Sequence, residues 1–261
     1  MSFLESKYIL YFPLIMFLVL LNCGSSGSFD EGTEIGLFSS AKKEFEDNDY
    51  YNSRRKFETF TRLYPGSSVI DSAQFFLGES YFGLKEYISA SSEYQNLIRN
   101  YPNSVLADDA QYKIALSYYK LSPDYALDQQ YTTKAIDEFI TLLEDYPTSS
   151  YIEDAMKKRT ELMNKLAKKS FKNGEQYRKL GEYVAAKKYF GDILEYYGDT
   201  EWTPEALYSI GECELKLENF ESARIVFEEF IKSYPKHSLV EEAKLKLQKL
   251  TVEKSVSDKM K

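Results

Sequence analysis

YPGSSVIDSAQFFLGESYFGLKEYISASSEYQNLIRNYP, residues 64–102, reads as one complete folding unit. It opens and closes on Tyr-Pro, and between these landmarks the apolar residues fall at helical spacing in two runs, separated by the short turn Leu84-Lys85-Glu86. The unit is therefore expected to be a helix, a turn and a second helix. Proline stops the second helix because it lacks an N–H and disfavours the α conformation in the residue before it. Ser67, Ser104, Ser149 and Ser238 stand where a hydroxyl can cap the helix that follows.

Working outward, Tyr-Pro recurs at Tyr64-Pro65, Tyr101-Pro102, Tyr146-Pro147 and Tyr234-Pro235, with a degenerate copy at Tyr197-Gly198. Ala73, Ala110, Ala155, Ala206 and Ala243 each lie eight residues after the Pro or its Gly substitute. Five coincidences in phase define an internal repeat. In the second unit Leu77, Gly78, Tyr81, Ala90, Tyr94, Leu97 and Pro102 fall at the consensus spacings of the tetratricopeptide repeat, and in the fifth Gly211, Ala223, Phe227, Phe230 and Pro235 do. The first unit supplies Ala41, Ser53, Phe57, Phe60 and Pro65; the fourth supplies Gly174, Tyr177, Ala186, Phe190 and Ile193. The pattern resembles that repeat, which implies an all-α solenoid: five helix-turn-helix units over residues 35–250, closed by a C-terminal capping helix, with a frayed tail at 251–261.

Two units are irregular. The third has an enlarged loop at residues 121–132. In the fourth, Gly174 falls about fourteen positions later than Ala155 would place it, almost four whole turns, so one long helix from about residue 151 to 180 is expected to join two sub-arrays.

Composition narrows the function. The chain has 261 residues, 43% hydrophobic and 28% charged, which excludes intrinsic disorder. Asp and Glu outnumber Lys and Arg by 41 to 33, a net charge of −8, the opposite of the basic footprint that phosphate backbones need, so no nucleic-acid partner is expected. One histidine and two cysteines leave little from which to build a metal site or a catalytic dyad, and there is no Gly-rich phosphate loop. No enzyme, cofactor or metal is expected, and His237 reads as an ordinary turn residue.

Residues 9–21 form an almost purely apolar run that carries Pro13 and follows Lys7. It is too short for a spanning helix and reads as a secretory signal over residues 1–22. Cys23, preceded by Leu20, Leu21 and Asn22, resembles the lipobox cysteine of bacterial lipoproteins. Its acylation would tie the chain to a membrane, with residues 23–34 as a flexible tether. Cys213 then remains as a lone thiol on an apolar helix face, expected to be a small core residue with no disulfide.

A lipobox followed by five such units, with an enlarged loop in the third and a long first helix in the fourth, resembles the BamD family of the β-barrel assembly machinery over residues 23–250. Asp128-Gln129 in the loop and Gly181-Glu182-Tyr183-Val184-Ala185 in the fourth turn are similar to family features. The resemblance implies a scaffold that is lipid-anchored to the outer membrane and faces the periplasm. Its implied partners are the POTRA domains of a BamA-like barrel insertase and the C-terminal signals of unfolded outer-membrane proteins. Other envelope scaffolds remain open, of the CpoB type or serving a secretion or gliding apparatus, because a fold does not fix a function.

Repeats of this kind line up one consensus position along the first helices. The fifth position is Phe38, Phe75, Tyr112, Phe171 and Tyr208, all aromatic. Seven residues on, two turns up the same face, stand Phe45, Phe82 and Tyr119, then Arg178 and Leu215. The expectation is a groove, lined by this double file in units 1–3, that accepts a peptide rich in aromatic residues. The competing reading makes the fifth-position set interior packing. Arg178 and Lys179 are candidates for the insertase contact.

Overall fold

The computed structural model describes residues 30–259; the signal segment, Cys23 and the start of the tether lie outside them. The described residues form eleven helices and no strand: α1 Glu34–Glu46, α2 Tyr50–Leu63, α3 Ile70–Gly83, α4 Tyr87–Asn100, α5 Ala107–Leu121, α6 Gln130–Asp145, α7 Ile152–Lys179, α8 Tyr183–Tyr196, α9 Thr203–Lys216, α10 Phe220–Ser233 and α11 Val240–Lys259. They pair in chain order into five units, and α11 closes the array. Each helix packs chiefly on its neighbours in the chain, with α1 also reaching α3, the nearest-neighbour logic of a solenoid.

The helix ends follow from local chemistry. Tyr64, Tyr101, Tyr146 and Tyr234 still donate their N–H to the carbonyl four residues back, and the proline that follows each has no N–H to continue. The serines beyond it act differently from the expected caps. Ser67, Ser104 and Ser149 hydroxyls accept the N–H two residues on, from Val69, Leu106 and Tyr151, which are themselves the N-cap residues. They shape the turn, while the N-cap side chains of these three helices make no capping bond. In the fifth unit the ring of His237, rather than Ser238, takes this place by accepting from Leu239.

Turns between first and second helices are tight, each with one residue in the left-handed region: Asn48 (φ 61°), Lys85 (φ 62°), Gly181 (φ 80°) and Glu218 (φ 58°). Only the fourth unit places glycine there. The third has the enlarged loop instead, residues 122–129, organised by the buried amide of Gln129. Its Nε2 donates to the carbonyls of Asp124 (2.7 Å) and Leu127 (3.0 Å), and its Oε1 accepts from Thr132 (2.7 Å).

Between the two helices of a unit, small residues on the first admit a ring from the second. A Cβ on Gly78 would come within 2.5 Å of the Tyr94 ring, on Gly174 within 2.6 Å of Phe190, and on Gly211 within 2.8 Å of Phe227. Phe57, Tyr94, Phe139, Phe190 and Phe227 are accordingly buried without exposure, as are Phe60 and Phe230 one turn along. Helix α7, 28 residues long, serves two cores: Ala155 and Leu162 pack with unit 3, Ala167 and Phe171 with unit 4. Helix α11 runs to Lys259.

Candidate functional site

The first helices α1, α3, α5, α7 and α9 stand in a row, each joined to the next by side-chain contacts. Phe45 of α1 meets Phe76 of α3 edge-on at 5.3 Å, and the Lys42 ammonium sits 4.6 Å over the same ring. Lys113 of α5 pairs with Glu79 of α3 at 2.7 Å. Tyr112 and Tyr119 of α5 donate to Asp154 (2.5 Å) and Glu161 (2.8 Å) of α7. Arg178 of α7 pairs with Glu212 of α9, which also holds Lys246 of α11 at 2.9 Å.

The fifth-position aromatics lie mainly between helices. Phe38 packs edge-on against Phe57 and Phe60, and Phe75 against Tyr94. Tyr112 stacks on Tyr151 at 4.2 Å; burial first, and then Asp154, push its hydroxyl far above the usual range. Asp154 itself is raised by burial, but the bonds from Tyr112 and Lys158 outweigh this and hold it below the ordinary carboxylate value. Phe171 fills the space between Phe190 and Trp202, and Tyr208 packs on Phe227 and Phe230. Tyr112, Phe171 and Tyr208 are buried, Phe38 and Phe75 half-buried.

The second file is more open. Phe45, Phe82 and Tyr119 are all half-buried. Phe82 lies against Tyr87, with the Lys113 ammonium 5.2 Å above it. Lys158 lies 5.3 Å over Tyr119, whose hydroxyl is pushed up to about 12 by burial and by Glu161. Units 1–3 thus offer ring edges interleaved with ammonium groups. At the same level in units 4 and 5 the wall changes character: Arg178, Lys179, Tyr183, Glu212, Leu215, Lys216 and Lys246 line a cleft of about 470 Å³, with four cations to one carboxylate.

Sequence reasoning missed the polar struts behind this row. The buried Tyr94 hydroxyl donates to Glu79 (2.5 Å), linking the core to the Glu79–Lys113 pair. Gln74 and Gln111, at equivalent positions, donate to the Glu93 and Glu138 carboxylates across each unit. The recurrence of glutamine just before the fifth-position aromatic was the available signal. Cys213 is buried, and burial pushes its thiol up to about 11, consistent with a packing role. Among the described residues, no helix is long and apolar enough to cross a membrane.

A family model described as outer membrane lipoprotein (YfiO) matches residues 30–217, which includes the whole row of first helices. The chain belongs to this family, that of BamD. A tetratricopeptide-repeat model matches residues 205–237, the fifth unit. The outer membrane protein assembly factor BamD of Caulobacter vibrioides is 32% identical over 101 residues, 39% of this chain and 33% of that protein, so the aligned part spans about a third of the curated relative. Among solved structures, a TPR repeats protein from Bacteroides fragilis is 14% identical, with a TM-score of 0.46 and coverage of 84% of this chain and 98% of that one. The TPR2AB domain of yeast Sti1, in a complex with pHSP90, is 12% identical, with a TM-score of 0.44 and coverage of 84% and 83%.

Proposed function

We propose that this BamD-family chain is a non-enzymatic scaffold for outer-membrane protein assembly, lipid-anchored through Cys23 and facing the periplasm. Its work is to hold other polypeptides against the row of first helices. The observation that carries the reading is the family match over residues 30–217, the segment that builds the row. Half-buried aromatic edges at Phe45, Phe82 and Tyr119 supply contact area at low entropy cost and suit the aromatic-rich C-terminal signals of unfolded barrel proteins. Phe38, Phe75 and Tyr112 lie two turns away on the same helices and pack on Phe57 and Phe60, on Tyr94 and on Tyr151. Arg178, in the cleft between α7 and α9, suits an acidic surface on the POTRA domains of a BamA-like insertase.

The test is solubilisation of membranes holding a tagged full-length chain, followed by affinity capture and mass spectrometry. Co-purification of a POTRA-bearing barrel protein is expected. Recovery of only secretion, gliding or division components would overturn the reading. Palmitate labelling that is present in the wild type and lost in Cys23→Ala tests the anchor separately.

A further inference from the structure

We infer that the long helix α7 carries a second docking strip, for an extended acidic polypeptide segment. The helix holds nine Lys and Arg against four Asp and Glu, a net +5, in a chain whose net charge is −8; the remainder of the chain is therefore at −13. At about 100° per residue, all seven of its lysines fall within roughly 120° of arc, on one face along about 42 Å of helix. Two of them are neutralised on their own helix, Lys158 by Asp154 (3.1 Å) and Lys172 by Glu175 (2.8 Å). Among the described residues, the other five, Lys157, Lys165, Lys168, Lys169 and Lys179, have no carboxylate within ion-pair distance.

The enlarged loop of unit 3 fixes three of these without cancelling their charge. Lys165 donates to the Ser122 hydroxyl (2.8 Å), Lys169 to the Leu127 carbonyl (2.5 Å), and Lys168 stands 4.5 Å over the Tyr125 ring. The loop carries Asp124 and Asp128, yet their carboxylates accept backbone N–H groups from Ala126 and Gln130 instead of meeting the lysines. Held Lys165, Lys168 and Lys169 thus form, with Lys157 and Lys179, a line of cations without carboxylate partners; Glu161 shares the face and accepts from the Tyr119 hydroxyl. From Lys157 to Lys179 the line extends about 33 Å, the reach of roughly ten residues of extended chain.

The shape and the surroundings choose the occupant. The strip is one helix wide and lies in the row between α5, bonded to it through Tyr112 and Tyr119, and α9, bonded to it through Arg178. A polypeptide can follow such a band. An anionic bilayer would also have to approach the rest of the chain, at −13, and would be repelled. The inference does not depend on which assembly the scaffold serves.

The test uses the full chain in detergent and a fluorescent ten-residue peptide of alternating Glu and Ser, with the Gln-Ser peptide as control, read by anisotropy. The Glu peptide is expected to bind at 50 mM salt, to weaken at least tenfold at 300 mM, and to weaken at least tenfold in K157E/K168E, with helicity and melting unchanged. Lys232→Glu, exposed on α10, is expected to leave binding as it was. Equal binding of the Gln peptide, or indifference to K157E/K168E, would overturn the inference. So would vesicles of phosphatidylglycerol binding more tightly than the peptide in a manner lost in that same variant. K157Q/K168Q, expected to give a smaller loss than charge reversal, guards against a folding defect.

Discussion

Units 1–3 and units 4–5 are built on one helical plan and differ in what joins their first helices. In the first three, the neighbours meet largely through rings and phenols beside the Lys113–Glu79 ion pair: Phe45 on Phe76, Lys113 over Phe82, Tyr112 and Tyr119 bonded to carboxylates of α7. In the last two, Arg178, Glu212 and Lys246 meet as ions beside the Phe171–Trp202 ring contact. The cores beneath are alike, with a small residue on the first helix facing a buried ring on the second in both halves. The packing of a repeat thus constrains its interior, while the outward positions are free to differ in chemistry, and α7 is where the change occurs.

If the cores are equivalent, Phe57→Ala and Phe227→Ala should each cost about 3–5 kcal/mol in denaturant unfolding. A marked inequality would break the comparison at its base. Gly78→Ala and Gly211→Ala should each cost about 1–3 kcal/mol, the former more, because its Cβ would come closer to the facing ring (2.5 against 2.8 Å).

On the outward face the halves should part. Phe45→Ala with Phe82→Ala is expected to weaken binding of an aromatic-rich peptide at least tenfold while costing less stability than Phe57→Ala; Leu215→Ala should leave that binding unchanged. Isothermal titration against melting curves decides this, and a large melting shift with intact binding would assign Phe45 and Phe82 to packing alone.

The phenols give a pH signature. Tyr81, Tyr119 and Tyr151 are each pushed up to about 12, Tyr81 and Tyr119 by burial and then a carboxylate partner, Tyr151 by its bond to Asp109 and then burial. Their folded-state values lie above the unfolded value near 10, so the stability they contribute is fully present below pH 10 and is lost as pH rises from 10 to 12. Melting temperature should fall across that window, and less steeply in Tyr119→Phe. The smallest effect is local: Glu218→Gly relieves a non-glycine residue at φ 58° and should stabilise by about 1 kcal/mol, whereas unit 4, with Gly181 already there, has nothing to gain.

The all-α repeat was legible because Tyr-Pro and the alanine eight residues later recur in phase, and each has a purely local cause: a missing N–H and a close helix approach. Less local features were not. Whether Phe38 or Tyr112 turns inward depends on the partner helix, and the structure packs them on Phe60 and Tyr151. Ser67, Ser104 and Ser149 look like caps in sequence, but the turn places their hydroxyls on the N-cap residue's own N–H. The lysines of α7 were visible as charges, yet that Lys165 and Lys169 meet a hydroxyl and a carbonyl of the loop at 122–129, and no carboxylate, becomes evident only in the structure.

The row of first helices is, on the function proposed above, the face on which other polypeptides dock. A photo-crosslinking amino acid placed at Phe82, at Arg178, or at the exposed Ile225 of α10 tests it in intact cells. Adducts with unfolded barrel proteins from position 82 and with the insertase from position 178, and none from 225, are the predicted result. Adducts forming at 225 while 82 and 178 stay silent would contradict it.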